Sequence, residues 1–114
     1  MNIVSKKRSL KHYPWGPGCE GWNLADERNF SVKLERMPPH SAEKNHYHEH
    51  AQQFFFILDG QAAIEIEGRK YILNPREGIH IQSRQKHKIM NQTDRPLEFL
   101  LSSHPSTKND RINC

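Results

Sequence analysis

The stretch His46-Tyr47-His48-Glu49-His50 puts three imidazoles within five residues. Near neutral pH an imidazole side chain can move a proton or ligate a transition metal. Along an extended segment alternate side chains leave the same face, so His46 and His48 converge while Tyr47 points away from them. Two neutral imidazoles from one strand supply half of a four-ligand site for a divalent metal. What completes and encloses that site must come from elsewhere in the chain.

The elements that could enclose it are strands. Phe30 to Met37 alternates apolar and polar residues with period two, and Pro38-Pro39 ends it. Gln53 to Leu58 is apolar on both faces, with Phe54, Phe56 and Leu58 on one and Phe55 and Ile57 on the other beside Gln53. Such a strand needs cover on each side, from a second sheet or a second subunit. Asp59-Gly60 turns the chain, 63–67 and 70–73 make a hairpin around Gly68-Arg69, and 79–81, 87–90 and 97–101 are further short strands. Seven or eight short strands with no convincing helix predict an all-β sandwich or barrel.

Composition narrows the functional classes. At 114 residues the chain is expected to form one domain, and a hydrophobic fraction of 34% with mean hydropathy −0.92 predicts a lean core that a partner subunit would complete. The net charge is +4, but Lys6, Lys7, Arg8 and Lys11 account for four of the seventeen basic residues, and the remaining thirteen balance thirteen acids. The excess is a terminal feature, and no basic stripe with interleaved aromatics runs through the body, so no nucleic-acid partner is expected. No apolar run reaches membrane-spanning length and no signal-peptide core follows Met1, so no membrane partner is expected and the default is cytoplasmic. Cys19 and Cys114 are too few for a disulfide scaffold, and Cys19 reads as a small packed residue. Trp15 and Trp22, in a Gly/Pro-rich entry, read as a barrel-end plug or a partner contact. Small-molecule sites have similar apolar linings.

With these residues in view, the chain resembles the cupin superfamily, specifically its small single-domain members. The family's first motif is His-x-His, four residues, an acidic ligand, six residues and Gly; here the same spacing runs His46, His48, Gln53, Gly60. The second motif, His with Asn beyond it, matches His87-Lys88-Ile89-Met90-Asn91, and the likeness spans roughly residues 30–103. Several positions depart from the pattern. The motif's opening Gly is His40, its second-motif loop Pro and Gly fall on Gln82 and Arg84, and a Gly-Asp turn appears as Arg76-Glu77. That loop is therefore expected to be less tightly preformed. The acidic ligand itself is replaced by Gln53.

The resemblance implies a cupin jelly-roll β-barrel, or double-stranded β-helix, with six to eight core strands. It would occupy 24–104, between an N-terminal arm and irregular entry over 1–23 and a C-terminal tail over 105–114. It further implies that His46, His48, Gln53 and His87 hold one divalent transition metal, Mn, Ni, Zn or Fe. A buried Gln53 amide among apolar neighbours would need such a partner. Three imidazoles and a carboxylate leave a divalent site at about +1, whereas an amide leaves it at about +2. The metal should be held less tightly and act as a stronger Lewis acid.

That tilts the expected activity toward a metal-dependent isomerase or lyase acting on a small oxygenated molecule, such as a sugar, uronate or keto acid. Small cupins that linearise unsaturated uronates look similar in this ligand set. The alternatives are a non-catalytic small-ligand-binding cupin and an iron(II) dioxygenase. No catalytic acid or base is assigned; His50, His80 and His104 are read as bystanders. The segment Pro105 to Arg111 resembles an ending found in some bacterial cupins, and reads equally as a closure of the barrel mouth or as a solvated tail. The lean core and the two-faced Gln53–Leu58 strand, like the resemblance, predict a homodimer.

Overall fold

The computed structural model describes residues 3–114. The described residues contain twelve strands and no helix, so no helix is long and apolar enough to cross a membrane. β1 (Lys11–Gly16), β2 (Cys19–Asp26), β3 (Ser31–Met37), β11 (Leu97–His104), β6 (Gln52–Asp59) and β9 (Gly78–Ile81) lie side by side in that order in one antiparallel sheet. The second sheet runs β12 (Arg111–Asn113), β5 (His46–His48), β10 (His87–Asn91), β7 (Ala62–Ile66), β8 (Arg69–Leu73), with β4 (Ser41–Ala42) also paired to β10. The inner faces meet on a core whose fully buried members include Met37, Ile57, Ile64, Ile81, Ile89, Leu97 and Phe99. This is the expected all-β jelly roll.

The entry carries more regular structure than its turn residues suggest, and the tail takes the closing alternative. Within the described part of 1–23 only residues 3–10 and the turn at 17–18 lie outside a strand, because Gly16-Pro17-Gly18 closes a hairpin that adds β1 and β2 to the first sheet; Gly18 takes the left-handed backbone (φ 73°) such a turn needs. The basic arm is also tied down. Lys6 ion-pairs with Glu98 at 2.7 Å and lies 4.7 Å from the Trp22 ring. The tail is not solvated chain either, since β12 pairs with β5 in the register Arg111↔His48, Ile112↔Tyr47 and Asn113↔His46.

β6 divides as its pattern predicts, with Gln53, Phe55 and Ile57 buried while Phe54 and Leu58 are exposed. β3 inverts the ordinary rule that the apolar set of an alternating strand faces in. Ser31, Glu35 and Met37 are buried, and Val32 and Leu34 face out beside Ser102 and Leu100 of β11. A polar set can face inward only if the interior at that end is a polar cavity rather than oil.

The turns preserve geometry where the residues changed. His40, Arg76 and Arg84, which stand at motif positions associated with glycine, all take left-handed backbone (φ 55°, 69° and 68°). The loops are thus formed as glycine would form them, with hydrogen bonds from Arg76 N to Ile57 O and from Arg84 N to His48 O, both 2.7 Å. A non-glycine residue in that region costs roughly 1 kcal/mol, partly offset by glycine's greater freedom when unfolded. Arg76→Gly is therefore expected to be neutral or to stabilise by up to about 1 kcal/mol; destabilisation of that size in a denaturant melt would contradict this account.

Candidate metal centre

His46 and His48 are alternate residues of β5, as the spacing requires, and β10 lies beside it with His87 directly opposite His46. Gln53 enters from β6 in the other sheet. All four are nearly inaccessible, from 1% exposed for His87 to 4% for His48 and Gln53. Ring centroids are 4.3 Å apart for His46 and His87, 5.1 Å for His46 and His48, and 5.6 Å for His48 and His87. One ligand nitrogen from each histidine falls within 4.8 Å of the others.

The backbone settles which nitrogen that is. Each Nδ1–H donates to a carbonyl: His46 to Lys44 at 2.8 Å, His87 to Gln85 at 2.8 Å, and His48 to Asp110 at 3.2 Å. Each Nε2 then carries a lone pair. Burial pushes the pKa of His46 down to about 3 and that of His87 to about 4, and lowers that of His48, so the rings are neutral at pH 7.

The arrangement fits a cation. His48 Nε2 is buried with no hydrogen-bond partner among the described residues. Gln53 Nε2 donates to Ser103 Oγ at 3.1 Å, which turns Oε1 toward His87 Nε2, also at 3.1 Å. Two lone-pair atoms at that distance repel unless a proton or a metal reconciles them, and the depressed His87 pKa disfavours the proton. A half-turn of the amide would satisfy both residues without a cation, whereas a cation held by His87 would require the orientation seen here.

His46, His48 and Gln53 line a cavity of about 220 Å³ between the sheets. Its wall includes Tyr13, Lys33, Glu35 and Glu43, which the sequence did not single out, and Arg111 from the segment read as a possible closure of the barrel mouth. Glu43 accepts a hydrogen bond from Ile89 N at 3.0 Å and lies 3.8 Å from the Arg111 guanidinium. Burial nevertheless raises its pKa to about 8. A signal was present for Glu35, a charged residue in strict alternation with Met37, but only the inversion of β3 makes it internal. Trp15 of the entry does line the cavity, whereas Trp22 is buried on the outer face against His12 (ring centroids 4.9 Å). The remaining histidines stay apart: His80 bonds Gln52 at 2.6 Å, His104 stacks on Phe30, and His50 lines a separate surface depression with Arg28 and Lys108.

The C-terminal segment closes one side of the site. The Asp110 carboxylate accepts from His50 N and Ala51 N at 3.1 and 2.9 Å, and its carbonyl holds His48. Removing such support typically weakens a metal site 10–100-fold. Asp110→Ala keeps the carbonyl that holds His48 and removes the carboxylate that anchors the segment to His50 N and Ala51 N. Metal affinity by competitive chelation is therefore expected to fall only to the low end of that range, about tenfold at most; unchanged affinity would show that anchorage to be irrelevant to the ligands.

The family model described as "Cupin domain" matches residues 33–103, more than half of the chain. The chain belongs to the cupin family. The matched range contains His46, His48, Gln53 and His87. Among solved structures, an RmlC-like cupin from Shewanella frigidimarina superposes with TM-score 0.84 at 10% identity, covering 96% of this chain and 95% of that one. A cupin-superfamily sugar phosphate isomerase from Silicibacter pomeroyi does so with TM-score 0.69 at 20% identity, covering 78% and 60%. The polyketide synthase CurC of Streptomyces cyaneus is 22% identical over 72 residues, 63% of this cupin and 47% of that protein. The cupin thus spans about half the length of this curated relative. At these identities the likeness to solved structures shows the fold.

Proposed function

We propose that this cupin is a metal-dependent enzyme that moves protons on a small oxygenated molecule, an isomerase or lyase of a sugar, uronate or keto acid. The supporting observation is a cluster of three neutral imidazoles, two of which line one cavity together with a neutral amide and the carboxyl groups of Glu35 and Glu43. His46, His48, Gln53 and His87 would hold one divalent ion, which when bound supplies Lewis acidity to a carbonyl or a water. At about 220 Å³ the cavity lies below the roughly 300–1,000 Å³ typical of drug-sized pockets, in keeping with a small substrate. Glu43 stands at the cavity wall beside His46, where burial raises its carboxyl pKa and Arg111 and the Ile89 amide oppose that rise.

Metal identity and occupancy in the purified protein, followed by proton exchange into substrate C–H bonds in deuterated water, test this reading. Metal-dependent exchange supports it. Oxygen uptake dependent on iron(II) would replace it with a dioxygenase, and ligand binding indifferent to metal would replace it with a binding module. We also propose a homodimer, with the outer face of the first sheet as the contact. Phe54 and Leu58 are 43% and 40% exposed there, next to half-buried Phe56, Leu34 and Leu100. A monomeric sedimentation coefficient at micromolar concentration would refute it.

A further inference from the structure

Tyr13, Gly21 and Glu35 occupy one row across three strands, Tyr13 opposite Gly21 and Gly21 opposite Glu35. The missing side chain of Gly21 is what seats the tyrosine, because a Cβ there would lie inside the Tyr13 ring. The phenol crosses β2 over that gap and donates to Glu35 Oε2 at 2.7 Å. Glu35 Oε1 accepts no hydrogen bond from the described residues, and both side chains line the cavity that His46, His48 and Gln53 line from other strands. A buried carboxylate held by one oxygen, with the other free in a substrate-sized cavity, is arranged for proton transfer rather than for packing.

We propose that Glu35, oriented by Tyr13, is the catalytic base and acid of this cavity, and that its substrates are carbon acids of the α-hydroxy ketone or keto acid class. The inference rests on the proposed function and names its missing proton carrier. On dihydroxyacetone, Glu35 takes a proton from C1, and the C1–H electron pair becomes a C1–C2 double bond as the carbonyl pair moves to O2. The hydroxyl proton passes from O1 to O2, and Glu35 returns its proton to C2, leaving glyceraldehyde. The atoms balance with no further reactant. Tyr13 is the positioning residue; burial holds its own phenol protonated, so it donates and does not compete as a base.

Several groups bear on Glu35: Tyr13 from β1, Cys19 from β2, Lys33 on its own strand, Arg111 from β12, and Glu43 beyond β4. Burial raises its pKa most, while the Tyr13 hydrogen bond and the Lys33 and Arg111 cations pull it down. Removing the phenol must therefore move the carboxylate's titration to higher pH.

The test uses full-length protein loaded with manganese or zinc, with pyruvate and dihydroxyacetone as probes in deuterated water followed by proton NMR. Glu35→Gln is expected to lower exchange at least ~100-fold, within the range for a lost general base, with metal content unchanged by elemental analysis. Tyr13→Phe is expected to lower exchange less than Glu35→Gln does and to displace its acidic limb to higher pH, which loss of packing alone would not produce. Wild-type exchange rates in Glu35→Gln, or an unmoved limb in Tyr13→Phe, would overturn the assignment of Glu35 while leaving the metal reading intact. Absence of exchange in the loaded wild-type protein would overturn the proposed function, and this inference with it.

Discussion

His48→Ala is expected to remain folded and to lose stoichiometric metal. His48 Nε2 is buried without a hydrogen-bond partner among the described residues, so a cation there satisfies a nitrogen that nothing else in the site does. Loss of a direct ligand should cost more than the 10–100-fold typical for loss of a supporting hydrogen bond, so affinity should fall by at least about 100-fold. The fold should survive. His48 lies at the cavity wall rather than among the apolar core residues, and its β5 neighbours keep their pairing to β10 and β12. Elemental analysis after loading with manganese, nickel, zinc and iron(II), alongside a thermal melt, decides the matter. Wild-type metal content in the variant, or none in the wild-type protein under any loading, would remove the metal centre from the account.

The second large effect concerns charge rather than ligand count. Gln53→Glu replaces a neutral amide with a carboxylate at nearly constant shape, taking a divalent site from about +2 to about +1. Ser103 can turn its hydroxyl to donate to the new oxygen, so the support survives. Metal affinity should rise by on the order of tenfold or more, because a buried anion beside a divalent cation is poorly screened. Metal-dependent proton exchange should fall, since the less positive ion polarises a carbonyl less. Chelator competition and exchange kinetics on the same preparations measure both. Equal or weaker binding by the variant would mean that Gln53 supports the site without ligating.

Legibility in the sequence followed the range of the interactions involved. The His46-x-His48 pair and the two-faced β6 strand depend on the period of an extended chain, a local property, and both are found as read. The left-handed backbone at His40, Arg76 and Arg84 was not readable, because none is a glycine; the surrounding hydrogen bonds impose it. The 1–23 entry read as irregular because its prolines and glycines are turn signals, and nothing local says that a hairpin on each side will find a sheet edge.

The sequence by itself determined the all-β jelly roll, the two histidines that must share a face, and the motif spacing that marks His87 and Gln53. Only the tertiary structure decided what else stands in the site. It turned the polar face of β3 inward, brought Tyr13 across Gly21 onto Glu35, and laid β12 along β5 so that Asp110 and Arg111 reach the histidines. The physical reason is that alternation fixes which residues of a strand share a face, but not which face is the inside. That choice belongs to the two sheets together, through what each must cover and which polar groups each can satisfy.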